Sequence, residues 1–300
     1  MTKNYLLAFM SLLLTTLFTS CEKINVADLE DSGTSSETTS TGLTINCKVS
    51  NTYETRAAVA AKDQVTRIAW ALMKEDGTIV SQGEQTSEAT SFGKLSIDCD
   101  AGSYKLLVFA HKAASACTIV DGGIVTMPDN KITDAFYNTQ DVTVTKNKRK
   151  SLTCTLDRCI AKFTIKSTDV MPETVSKVRI TFDNTSSKFN GLAGLGDGLT
   201  SYTRLVTSLS SYKNTKVTFN VYFFLPTTEA TTANLKFEFL SDADEALYTD
   251  NFANVPVQIN HATVYNGAVF TSSGIDSDSD GILVNADWGT DFSIDENYLE

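Results

Sequence analysis

Residues 43–49 alternate apolar and polar without a break: Leu43, Ile45, Cys47 and Val49 against Thr44, Asn46 and Lys48. That period of two predicts a strand with one buried face. Ile68, Trp70 and Leu72 repeat the pattern, and Glu75-Asp76-Gly77-Thr78 predicts a hairpin turn into Ile79-Val80. Residues 92–98 and 104–110 predict two more strands, separated by Asp100-Ala101-Gly102-Ser103. Apolar residues fall on both faces of 104–110, which predicts a strand inside a sheet covered on both sides. Val142 and Val144 mark another strand, and Lys146-Asn147-Lys148-Arg149-Lys150 predicts a charged hairpin tip.

The phase of the pattern then breaks. Leu152, Cys154 and Leu156 occupy even positions, while Cys159, Ala161, Phe163 and Ile165 occupy odd ones. One continuous strand cannot keep both sets on one face. A bulge or passage into a new sheet is expected at Asp157-Arg158, and a domain boundary is placed there. Val178, Ile180 and Phe182 restart the alternation, and strands are predicted over 217–225, 235–239, 255–259, 262–270 and 282–288. Gly191, Gly194, Gly196 and Gly198 fall within 186–202, lack the GxGxxG spacing, and predict a mobile loop. Long amphipathic helical patterns are absent. Many short strands separated by turn signals predict an all-β chain of β-sandwiches, one over 43–157 and one over 158–300.

The first residues read differently. Lys3 precedes an apolar run from Tyr5 to Phe18, shorter than the roughly 20 residues that span a bilayer. It fits the core of a removable signal peptide over 1–20. Small Thr19 and Ser20 directly before Cys21 form a lipobox-like ending, so Cys21 is expected to become the lipidated first residue of an outer-membrane, surface-exposed lipoprotein. Residues 21–42, polar and acidic with little to bury, are expected to form a flexible tether.

Charge and cysteines narrow the chemistry. A net charge of −11 argues against nucleic acid or an anionic membrane surface as partner. Cys47, Cys99, Cys117, Cys154 and Cys159 follow Cys21, an odd set with no CxxC; at most one or two bridges are expected. The two histidines, His111 and His261, are too few to complete a zinc set with these cysteines. GxSxG and HExxH are absent, and the chain is not expected to be an enzyme. Asp276-Ser277-Asp278-Ser279-Asp280-Gly281 places alternating carboxylates beside a glycine turn, with Asp287 at the twelfth position. Asp276, Asp278 and Asp280 are therefore candidate calcium ligands. A strand over 282–288 would carry Asp287 about 20 Å away, which leaves a partial site or a plain acidic hairpin loop.

Several stretches, taken in order, resemble the fimbrillin-type family: the type V pilus subunits of Bacteroidia and their membrane-bound anchor relatives. They are the lipobox at Cys21, the first strand followed by Thr55-Arg56-Ala57, and Ala101-Gly102-Ser103-Tyr104-Lys105-Leu106-Leu107-Val108. Leu156-Asp157-Arg158-Cys159-Ile160-Ala161-Lys162-Phe163, Val221-Tyr222-Phe223-Phe224-Leu225-Pro226-Thr227, Asn260-His261-Ala262-Thr263-Val264-Tyr265-Asn266-Gly267 and Asp287-Trp288 continue the series. The resemblance implies two transthyretin-like β-sandwiches, surface display, and assembly with fimbrial subunits by strand donation. It implies no catalysis. It also implies a processing point: stalk subunits of that family are cut after an arginine behind the first strand, which here would be Arg56, leaving Ala57 first. Residues 289–300 carry several acids and few apolar residues, a poor donor strand. A retained first strand suits an anchor or accessory subunit. The alternatives are a stalk or tip subunit cut after Arg56, or a non-polymerising lipoprotein that binds a host protein or glycan.

Overall fold

The alternation at 43–49 puts Leu43, Ile45, Cys47 and Val49 on one buried face of β1 (Gly42–Val49). The computed structural model describes residues 40–50, 59–271, 275–277 and 282–285, and all of them belong to one compact, all-β unit. The first half continues through β2 (Val59–Ala60), β3 (Arg67–Met73), β4 (Ile79–Thr86), β5 (Lys94–Asp98), β6 (Gly102–His111), β7 (Thr118–Val120), β8 (Ile124–Thr126), β9 (Ala135–Val144) and β10 (Arg149–Arg158). The second half holds β11 (Ala161–Ser167), β12 (Lys177–Thr185), β13 (Lys188–Asn190), β14 (Leu195–Gly196), β15 (Thr200–Val206), β16 (Thr218–Phe223), β17 (Thr231–Leu240), β18 (Ala246–Val257), β19 (Ala262–Gly267), β20 (Ile275–Ser277) and β21 (Ile282–Asn285).

In the first half the strand neighbours run β2-β1-β10-β9-β6-β3-β4, with β5 also on β1. This path folds over on itself at β10. Residues 149–156 of β10 pair in parallel with β1, whereas Asp157 and Arg158 pair with Tyr137 and Phe136 of β9. The charged turn after β9 is present, but its two strands splay into different layers instead of forming a flat hairpin. Leu43, Ile45, Cys154 and Leu156 of one layer meet Ile68, Leu72, Leu106, Val108 and Phe136 of the other in a shared core.

The phase break is a passage between sheets. Cys154 and Leu156 face that first core; Cys159, Ala161, Phe163 and Ile165 face a second. The second core lies between the layers β16-β11-β19-β21 and β15-β12-β17-β18-β20. Phe163 of β11 meets Phe252 of β18 edge-on at 5.1 Å and Phe237 of β17 at 6.3 Å between ring centroids.

The second core does not stop at residue 158. Strand β6 is apolar on both faces because Leu106 and Val108 fill the first core while Leu107 and Phe109 fill the second. A small sheet, β14-β13-β8-β7, draws strands from both halves. Phe189 of β13 packs on Phe109 at 5.7 Å and on Tyr137 at 4.8 Å. This corrects the reading of 186–202 as a mobile loop: β13, β14 and the start of β15 lie in it. Gly191 permits the close approach, since a Cβ there would sit 2.5 Å from Leu107 Cδ2.

Candidate strand-exchange site

Strand β1 occupies a slot with backbone partners on both sides. Along one edge all eight residues register with β10, from Gly42↔Arg149 to Val49↔Leu156. The other edge is shared: Gly42 to Asn46 pair with Asp98 to Lys94 of β5, and Lys48 and Val49 with β2. The Cys47 N–H closes the gap between them, donating to the Gly93 carbonyl at 2.7 Å. A strand of this length spans about 26 Å, so its departure would open an elongated groove with two unpaired edges.

Side chains fix the strand in place. Leu43, Ile45 and Val49 are fully buried, each stabilising by about 1.5–3 kcal/mol relative to exposure. Arg149 secures the N-terminal end: its guanidinium donates to the Leu43 carbonyl at 2.8 Å, to Ser96 Oγ at 2.8 Å and to the Asp98 carboxylate. The arginine of that basic run thereby binds β1 and β5. Gly42 allows the fit, because any Cβ would fall on the Ile97 carbonyl oxygen. The sequence reading missed Arg149 and Gly42; alternation identifies a buried face but not the neighbour that crosses a strand's end.

The predicted site residues fare unevenly. Cys21, Arg56, Ala57, Asp278 and Asp280 lie outside the described residues. Asp276 stands in β20, whose backbone pairs in parallel with β18 at Asn251. Among the described residues no group of three His, Cys, Asp or Glu is placed to hold a metal ion.

Both histidines make local backbone contacts. His111 ends β6 fully buried, and its Nδ1 accepts the Ala113 N–H at 3.1 Å. Burial, aided by the Arg67 charge, lowers its pKa to about 4, so the ring is neutral at ordinary pH. His261 Nδ1 lies 2.9 Å from the Ile259 carbonyl. Among the described residues five cysteines are free thiols, and two of them, Cys47 and Cys154, are register partners across β1 and β10.

Several solved structures are similar to this chain. A Bacteroides thetaiotaomicron protein (DUF1812), described as a prospective polysaccharide-binding protein, shares 11% identity at a TM-score of 0.49, covering 81% of this chain and 95% of its own. The fimbrial anchor protein Mfa2 of Porphyromonas gingivalis shares 10% identity at 0.43, covering 75% and 90%. A fimbrial assembly protein of Parabacteroides distasonis shares 12% identity at 0.37, covering 82% and 99%. No curated protein matches the sequence. The model of a family of unknown function, DUF6562, matches residues 33–299, and the chain belongs to that family.

Proposed function

We propose that this chain is a cell-surface lipoprotein, held in the outer membrane by lipid on Cys21, that serves as an anchor or accessory subunit of a fimbria and supports adhesion. It joins pilus subunits by β-strand complementation. The observation that carries this reading is the β1 slot: a strand with both edges paired and one face buried, directly preceding the Arg56-Ala57 stretch. Main-chain pairing of that kind is what strand complementation exchanges. Retention of β1 keeps the slot filled and the body joined to Cys21; cleavage after Arg56 would instead yield a stalk or tip subunit. The lipobox supports membrane attachment, since several acyl chains at about 0.8 kcal/mol per buried CH₂ hold a protein firmly.

The test is metabolic labelling with a fatty-acid analogue, followed by capture of the labelled protein from surface extracts and mass spectrometry of what accompanies it. Wild type takes up label and brings fimbrial subunits with it, and Cys21→Ala loses both. Equal labelling of the two proteins overturns the anchoring; capture of labelled protein with no fimbrial subunit overturns the assembly role.

A further inference from the structure

We propose that Cys47 and Cys154 form a disulfide that staples β1 to β10 in the exported protein. Three observations place the pair. The two residues are register partners in neighbouring parallel strands. Both side chains are buried in the same core, 6% and 1% exposed. Both are free thiols as the structure stands. Adjacent strands run about 4.8 Å apart, inside the roughly 4.4–6.8 Å Cα range that a disulfide bridges. The neighbouring Cys47 thiol, and then burial, push the Cys154 thiol well above its ordinary value. Cys99, Cys117 and Cys159 share no such register position among the described residues, which accounts for an odd cysteine count: one pair and three single thiols.

The step balances by exchange with a donor disulfide, that of a thiol–disulfide oxidoreductase or of oxidised glutathione. One cysteine thiolate attacks the donor and forms a mixed disulfide. The second thiolate then attacks the protein sulfur and closes the Sγ–Sγ bond. Two protons and two electrons leave the pair, and the donor departs as two thiols. The buried Cys154 thiol, held protonated, is a poor nucleophile, so closure belongs to the moment when β1 docks during folding. Once formed, the same burial shields the bridge from reductant.

The consequence concerns the slot. With the staple in place, a cut between Arg56 and Ala57 does not free β1, because the segment carrying Cys21 stays joined to the body through Cys154. Strand release then requires reduction as well as proteolysis. This inference rests on the export reading above, since a reducing compartment would keep both thiols free.

The experiment refolds the mature protein with oxidised glutathione, alkylates it in denaturant and digests it with trypsin. The expected product joins the peptide over 24–48 to that over 151–158; it is lighter than the two thiol peptides by two hydrogens and absent from Cys47→Ser and Cys154→Ser. Full alkylation of both cysteines in the wild type would overturn the proposal. A variant with a site-specific protease sequence inserted after Arg56 is cut and run in denaturant: the N-terminal fragment separates only with reductant if the staple exists, and without it if not. Surface-extracted protein is treated likewise. Fatty-acid label on Cys21 together with two alkylated thiols overturns the staple and leaves the lipid anchoring standing; two alkylated thiols with no label overturn both.

Discussion

Arg158 grips Asp134 through two parallel hydrogen bonds, Nε to Oδ1 at 2.7 Å and Nη2 to Oδ2 at 3.0 Å, with side chains only 12% and 6% exposed. The same guanidinium donates to Asn260 Oδ1 at 3.2 Å and lies over the Phe136 ring at 4.6 Å. Arg158 is the last residue of β10, Asp134 precedes β9 and Asn260 precedes β19. One cation thus ties the end of the first half to the second. Breaking a buried pair strands the other charge, so Asp134→Ala and Arg158→Ala are each expected to lose about 3–5 kcal/mol in urea unfolding. The double variant should lose less than the sum; strict additivity would show that the pair does not couple.

We propose that 43–157 and 158–300 are two sandwiches that unfold together, because Ala69, Leu107 and Phe109 from the first contribute to the core of the second. Trp288→Phe leaves Trp70 as the single tryptophan, a reporter in β3. Its fluorescence and the far-ultraviolet circular dichroism should share one guanidinium midpoint. Two separated midpoints would mean that the halves are independent.

Acid should weaken the fold through His111. Its folded pKa of about 4 lies below the ordinary 6.5, so between those values the unfolded chain binds the proton that the folded one refuses. Stability contributed by the neutral ring is full above the unfolded value and falls as pH drops toward about 4. The wild type is expected to lose about 2 kcal/mol more than His111→Gln between roughly pH 7.5 and pH 5. Equal pH slopes in urea titrations of the two proteins would exclude His111 as the cause.

Residues in β1 should show the cost of emptying part of the slot. Ile45→Ala is expected to lose about 2–5 kcal/mol by leaving a cavity in the first core. Gly42→Ala should cost about 1–3 kcal/mol because its Cβ meets the Ile97 carbonyl. Thermal unfolding of the purified variants measures both, and a neutral Gly42→Ala would mean that β1 and β5 can part without penalty.

How much was legible follows from what a period of two encodes. It marked β1, the two-sided β6 and the change of sheet after β10, because burial sets each residue's phase locally. It could not show that Leu107 and Phe109 fill a core made mostly by residues after 158, since alternation does not say which partner covers a face. Glycines 191 and 194 looked like loop signals because the side chains that need their empty space lie far away in sequence. The pairing of Cys47 with Cys154 was hidden for the same reason: both stand in apolar phase, and only the parallel register of β1 with β10 brings them opposite.

The central claim is that β1 stays in its slot and keeps the body attached to lipid at Cys21. N-terminal sequencing of the protein from purified surface fibres, backed by mass spectrometry of its first peptide, tests this most directly. A dominant start at acylated Cys21 is the predicted result. A dominant start at Ala57 in unreduced protein, with no acylated segment beginning at Cys21 accompanying it, would contradict it, because the first strand would then have left the body that carries the slot.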